Sequence, residues 1–349
     1  MTIARRRPAA VGTLAAVTLL LAACAGPAEA PTASPAATGA PDSGAVTVGL
    51  TYVPDIQFAP FYVAAENGYY EDAGVDVALR HHGQSEGLFS AVGAGEEDVV
   101  VAGGDEMLQA RSGDVPLVSV ATLYQEYPVA LIVPADSEIT SAEDLAGRSI
   151  GIPGPFGETY FGLLALLGAA GLTEADVDVQ HIGYTQQAAL TAGHVDAVMG
   201  YVNNDAVSFA ASGLDVRTIE IPAVGDAGVP LVGIGLGVLD ATAEARPDDV
   251  AAVVEATLRG VQDVIDDPRA AVELSAGYVP DLERADRREA ALATLEATIQ
   301  LFGGEAGLGA QDGATWAAMA TFLGEQGLLE GEVDPAAAWT DRFLPAATN

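Results

Sequence analysis

Five short stretches carry the residues whose types and spacing could do chemistry. They are Tyr52-Val53-Pro54-Asp55-Ile56-Gln57-Phe58, Gly103-Gly104-Asp105-Glu106, Tyr124-Gln125-Glu126-Tyr127, Pro153-Gly154-Pro155-Phe156-Gly157-Glu158 and Tyr201-Val202-Asn203-Asn204-Asp205. Each follows a run of plain aliphatic residues, yet is itself rich in flat rings, carboxylates, amides and glycines. Rings stack on flat ligands at about 0.5–1.5 kcal/mol per pair beyond the area they bury. Ionised carboxylates accept hydrogen bonds from N–H and O–H groups and donate none. An aromatic wall with a few polar groups is the expected lining of a small-molecule cleft. Stacking faces are expected from Tyr52, Phe58, Tyr124, Phe156 and Tyr201, with Tyr62 and Tyr160 in the helices just beyond. Hydrogen bonds are expected from Asp55, Gln57, Asp105, Glu158, Asn203, Asn204 and Asp205, and close backbone approach at Gly103-Gly104 and from Gly154 to Gly157. Asp55 and Asn203 are equally placed to cap the helices that follow them, as are Gln84 and Ser85.

Other chemistry is missing from the chain. Cys24 is its one cysteine, so there is neither an internal disulfide nor a nucleophilic thiol in the body. The histidines are His81, His82, His181 and His194. The first two are neighbours in a strand and point to opposite faces, so no metal site is expected. Lysine is absent, which excludes a Walker-type phosphate loop. No catalytic residue, cofactor or metal is expected.

The elements that must position these loops alternate along the chain. VTVGLTYV reads as a strand and the segment from Pro60 to about Asn67 as a helix. VDVALRH (strand), SEGLFSAVGAG (helix), DVVVAG (strand), EMLQARSG (helix), PLVSVATLY (strand) and SIGIP (strand) follow. Then come ETYFGLLALLGAAG (helix), VDVQHIG (strand), TQQAALTAG (helix), DAVMGYV (strand), DAVSFAASG (helix) and VRTIEI (strand). After PLVGIGLGV the pattern is mostly helical. Short aliphatic strands between helices predict mostly parallel sheets covered on both faces. Ala94-Gly95-Glu96-Glu97-Asp98 before VVVAG is echoed by Ala192-Gly193-His194-Val195-Asp196 before AVMGY, which fits two similar α/β lobes. Open α/β sheets bind ligands beyond the carboxyl ends of their strands, where the five stretches lie.

The chain begins with the basic MTIARRR and a short apolar run, then Leu21-Ala22-Ala23-Cys24. The apolar run is too short to span a membrane and reads as a secretory leader over residues 1–23. The tetrapeptide resembles the lipobox of bacterial lipoproteins, which implies lipidation of Cys24. Residues 24–45 are an Ala/Pro/Ser/Thr linker that cannot bury a core. The expectation is an extracytoplasmic body, a monomer, held to the bacterial cell membrane by lipid alone. The chain has 49 carboxylates against 14 arginines, three of them in the leader, and a formal charge of −35. That balance disfavours nucleic acid as a partner.

At YVPDIQFAPFYVAAENGYYEDAGVDV the sequence resembles the solute-binding proteins of ABC importers, in the family that binds nitrate, alkanesulfonates, taurine and thiamine-pyrimidine precursors. ITSAEDLAGRSIGIPG is similar to a second family segment, with Arg148 for the usual lysine, and AGHVDAVMGY to a third. The matches run from Val46 to about Ile221. The resemblance implies a two-lobed periplasmic-binding-protein fold of type II, an α/β architecture with a mixed, mostly parallel sheet in each lobe. Residues 46–131 and 229–349 would form lobe 1 and residues 132–228 lobe 2. It further implies delivery of a small-molecule ligand to a permease driven by a separate ATPase subunit. No arginine falls in the five stretches, which instead carry Asp55, Asp105, Glu106, Glu126, Glu158 and Asp205. That favours a flat heteroaromatic with N–H donors over an anion, hence the vitamin-precursor branch, riboflavin or thiamine pyrimidine. Alkanesulfonate, taurine or nitrate binding is the alternative within the family. The fungal thiamine-pyrimidine synthases share the fold but carry a cysteine-rich motif where this chain has GPFGE. A sensory domain that passes its closure to a receptor is a third class.

Overall fold

Aliphatic strands buried on both faces organise the molecule, as in Val99–Gly103 and Leu117–Thr122, whose residues are all inaccessible. The computed structural model describes residues 44–83, 86–223, 228–303 and 307–346. Cys24, the leader, nearly all of the linker and the pair Gln84-Ser85 lie outside them. The chain divides into residues 1–43 and a body, residues 44–349. Among the described residues no helix is long and apolar enough to cross a membrane.

The body contains ten strands: β1 Val46–Leu50, β2 Val77–His81, β3 Val99–Gly103, β4 Leu117–Thr122, β5 Val129–Pro134, β6 Ser149–Ile152, β7 Asp178–His181, β8 Ala197–Tyr201, β9 Val216–Ile219 and β10 Ile234–Leu239. They form two five-stranded sheets, ordered β2-β1-β3-β10-β4 and β7-β6-β8-β5-β9. In each sheet four strands run one way and one opposes them: β10 is antiparallel to β3 and β4, and β5 to β8 and β9. The connectivity explains which ones. The chain passes from the first sheet to the second after β4 and returns after β9. A strand arriving from the carboxyl edge of one sheet enters the other at its carboxyl edge and must run backwards.

Strand β5 is absent from the predicted alternation, because VALIVP follows the preceding strand after only a few residues with no helix between them. It runs from Val129 to Pro134. The helix expected across SEGLFSAVGAG shrinks to Ser90–Ala94, whose C-cap Gly95 takes the left-handed conformation that glycine tolerates. The helices Ala59–Glu66 and Pro247–Asp266 pack closely through Gly260, where a Cβ would overlap the Pro60 carbonyl oxygen. The C-terminal helix Gly313–Glu325 sinks Trp316 fully into the core beside Gly104 and Val232.

Candidate functional site

A cleft of about 600 Å³ opens where the carboxyl edges of the two sheets face each other. From the first sheet's side come Thr51 and Tyr52 after β1, Gln57, Phe58 and Phe61 on the following turns, Gly103 at the end of β3 and Glu106 beyond it, and Tyr124 after β4. From the second come Phe156, Glu158 and Thr159 after β6, Tyr184 and Gln186 after β7, Tyr201 at the end of β8, and Asn204 and Asp205 beyond it. Parallel strands all end at one edge, so segments far apart in sequence converge there.

Nine of the fifteen expected ligand residues line this cleft: Tyr52, Gln57, Phe58, Tyr124, Phe156, Glu158, Tyr201, Asn204 and Asp205. The other six are not among its lining residues. Asp55 accepts a bond from the Gln57 N–H at 3.1 Å and caps the short helix Ile56–Phe58. Tyr62, one position beyond Phe61, is turned by about 100° around the helix. Its ring is fully buried and stacks on Tyr278 with centroids 4.4 Å apart. Gly104 yields its place on the wall to Gly103, since Val232 and Trp316 fill the space beside it. Asp105 is fully buried behind the wall, with Oδ2 2.7 Å from the Tyr127 hydroxyl oxygen and Oδ1 accepting from the Glu106 N–H at 2.7 Å. Tyr160 donates instead to Glu174, at 3.1 Å. Asn203 is fully buried and donates to Thr298 Oγ1 at 2.9 Å.

Other wall residues were not expected as ligand contacts. Glu106 was counted only as an acceptor in its loop. Tyr184 and Gln186 obey the same rule as the five stretches, because IGYTQQ also follows a strand. Phe61 needs the helical phase, and Phe302 comes from the distant helix Ala285–Phe302, which no local pattern reveals.

The electrostatics are one-sided. Asp105, Glu106 and Glu158 crowd together where the carboxyl edges of the two sheets face each other. Burial raises all three carboxyls above the usual range, and mutual repulsion adds to the shift at Glu106 and Glu158. Burial also raises Asp205. Tyr201 donates to Glu158 Oε2 at 2.7 Å, while the buried Oε1 has no protein partner. No cationic side chain is found among the described lining residues. Arg80, near the rim, is engaged by Glu86 and Glu97. The N-terminus of the helix Gly104–Ser112 is an anion site in principle. Here its N–H groups already serve the carboxylates of Glu106 and Asp105. The histidine pair is likewise engaged, His81 with Tyr62 and the Tyr52 carbonyl, His82 with Glu97. Among the described residues no cluster of three or more His, Cys, Asp or Glu could hold a metal. The cleft can stack a flat ring and accept its N–H or O–H protons.

Comparison with known proteins agrees with this geometry. The chain is 35% identical over 342 residues to the riboflavin-binding protein RibY of Chloroflexus aurantiacus, covering 95% of this chain and 96% of the relative. It is 28% identical to a formylaminopyrimidine-binding protein of Halalkalibacterium halodurans, over 66% of this chain and 69% of that one. A 4-amino-5-hydroxymethyl-2-methylpyrimidine phosphate synthase of Legionella pneumophila matches at 26%, over 68% and 74%. The periplasmic aliphatic sulphonate binding protein SsuA of Escherichia coli superposes with a TM-score of 0.68 at 16% identity, over 87% of this chain and 95% of that one, which establishes the periplasmic-binding-protein fold. The NMT1/THI5-like family profile matches residues 55–271, and the chain belongs to that family.

Proposed function

We propose that the protein is the extracytoplasmic solute-binding component of an ABC importer that captures a flat heteroaromatic vitamin or precursor, riboflavin before a thiamine-type pyrimidine. The observation that carries this reading is the cleft itself: rings on both walls, carboxyl groups between them and no cation among the described lining residues. A sulfonate or nitrate would find no cationic side chain among the described lining residues to pair with. A neutral ring with N–H and hydroxyl donors meets acceptors. The similarity to RibY over nearly the whole chain supports riboflavin first. The cysteine-dependent chemistry of the synthases finds no support in the body, which has no cysteine. Lipidation at Cys24 would keep the monomeric body at the membrane, beside the permease to which it delivers.

Thermal unfolding against riboflavin, an aminopyrimidine, taurine, an alkanesulfonate and nitrate tests the reading. A ligand at 100 times its Kd adds about 2.7 kcal/mol of stability. A rise in midpoint with riboflavin or the aminopyrimidine is expected. A rise with sulfonate or nitrate alone would overturn it.

A further inference from the structure

Tyr127 has one hydroxyl proton and two partners. Its oxygen lies 2.7 Å from Asp105 Oδ2 and 3.0 Å from the backbone carbonyl oxygen of Glu158. A carbonyl oxygen only accepts, so a full bond to Glu158 consumes the tyrosine proton. The closer contact with Asp105 then has no proton unless Asp105 supplies it. Asp105 Oδ1 is already accepting from the Glu106 N–H at 2.7 Å, which leaves Oδ2 as the protonated atom. Asp105 belongs to the first sheet's lobe and Glu158 to the second's, so the chain of bonds spans the junction. At its far end Glu158 is only 3% exposed, lines the cleft, and leaves Oε1 unpartnered while Tyr201 holds Oε2.

We propose that Asp105 is a neutral acid that donates to Tyr127, which donates on to the Glu158 carbonyl, and that this relay holds Glu158 with its free Oε1 toward an N–H of the ligand. The inference rests on the ligand reading above and names its anchoring carboxyl. Asp105 is a positioning residue, acting through Tyr127. The groups facing it are Glu106 on its own helix, Glu158 from the opposite lobe, Tyr127 from the crossing segment and Tyr201 at the end of β8, all of them acidic. Burial pushes the Asp105 carboxyl up to about 7. Once Asp105 ionises, Tyr127 turns its proton to the carboxylate, and the Glu158 carbonyl loses its donor.

Two measurements decide it, both on the intact protein. Infrared difference spectra of wild type minus Asp105→Asn, both ligand-free at about pH 6, should show the loss of one neutral carboxylic acid component; absorption unchanged by the substitution overturns the proposal. Riboflavin binding, read by quenching of flavin fluorescence between about pH 5 and 9, should weaken in the wild type by up to tenfold per pH unit above proton release. Asp105→Asn, whose amide donates to Tyr127 at every pH, should bind with a shallower profile, the remaining pH dependence belonging to Glu106 and Glu158. If that variant does not fold, Tyr127→Phe should bind at low pH no better than the wild type does at high pH. A variant that keeps the wild-type slope places the titrating proton elsewhere and refutes the relay. A wild type that binds no riboflavin at any pH sinks the ligand reading, and the infrared band still settles the proton on Asp105.

Discussion

The Phe156 ring is 54% exposed, lies over Gly154 and faces the cleft, so Phe156→Ala removes a ligand face while leaving the core intact. An aromatic side chain offers about 150–250 Å². About half is open here, and a flat ligand on one face would cover roughly 60 Å² of it, worth about 1.5 kcal/mol at 25 cal/mol/Å². Stacking adds about 0.5–1.5 kcal/mol. The combined loss of about 2–3 kcal/mol weakens Kd by about 30- to 150-fold. Folding should barely change, since exposed substitutions cost within about 0.5 kcal/mol. Thermal unfolding reads both quantities in one assay. At a riboflavin concentration 100 times the wild-type Kd, ligand stabilisation should fall from about 2.7 to about 0.3–0.9 kcal/mol, with the ligand-free midpoint nearly unmoved. An undiminished ligand shift would show that the ring takes no part in binding. A ligand-free midpoint lowered by many degrees would show instead that the ring supports the fold.

Tyr201→Phe strips Glu158 of its one side-chain partner and should weaken riboflavin binding about tenfold or more by titration, since hydrogen bonds to carboxylates contribute about 1.5–3 kcal/mol. Glu97→Ala removes the buried carboxylate that serves Arg80 and His82. Its cost in urea unfolding should be about 2–3 kcal/mol, below the 3–5 typical of a broken buried pair, because Arg80 keeps Glu86 and some water. Gly260→Ala forces a Cβ against the Pro60 carbonyl and should destabilise by about 1–3 kcal/mol in the same assay, with binding unchanged in the folded fraction. Asp105, Glu106 and Glu158 titrate higher when folded than in the unfolded chain, where carboxyls lose their protons near about pH 4. In that interval the folded state holds more protons, so stability falls as pH rises from about 4 toward about 8. Asp105→Asn should flatten part of this slope in midpoints measured across the range; an unaltered slope would remove Asp105 from the set.

Local sequence was enough to mark the strands and the loops beyond them. Aliphatic runs such as VVVAG can only be buried strands, and rings and carboxylates at their carboxyl ends have little structural reason to be there. That logic reached Tyr52, Phe58, Phe156, Glu158 and Asp205, and applied to IGYTQQ it would have reached Tyr184. The body alone also excluded thiol and P-loop chemistry, because the residues are not there. Which side of a helix or turn meets the cleft was settled only by packing. Phe61 reaches the wall and Tyr62 does not, because Tyr278 covers the next position around the helix. Asn203 turns inward because Thr298, some ninety residues later, offers a buried partner. The carboxyl trio is a tertiary object altogether: Glu106 and Glu158 lie about fifty residues apart, on different sheets. Their proximity, and the burial that raises their proton affinity, exist only once the two carboxyl edges face each other.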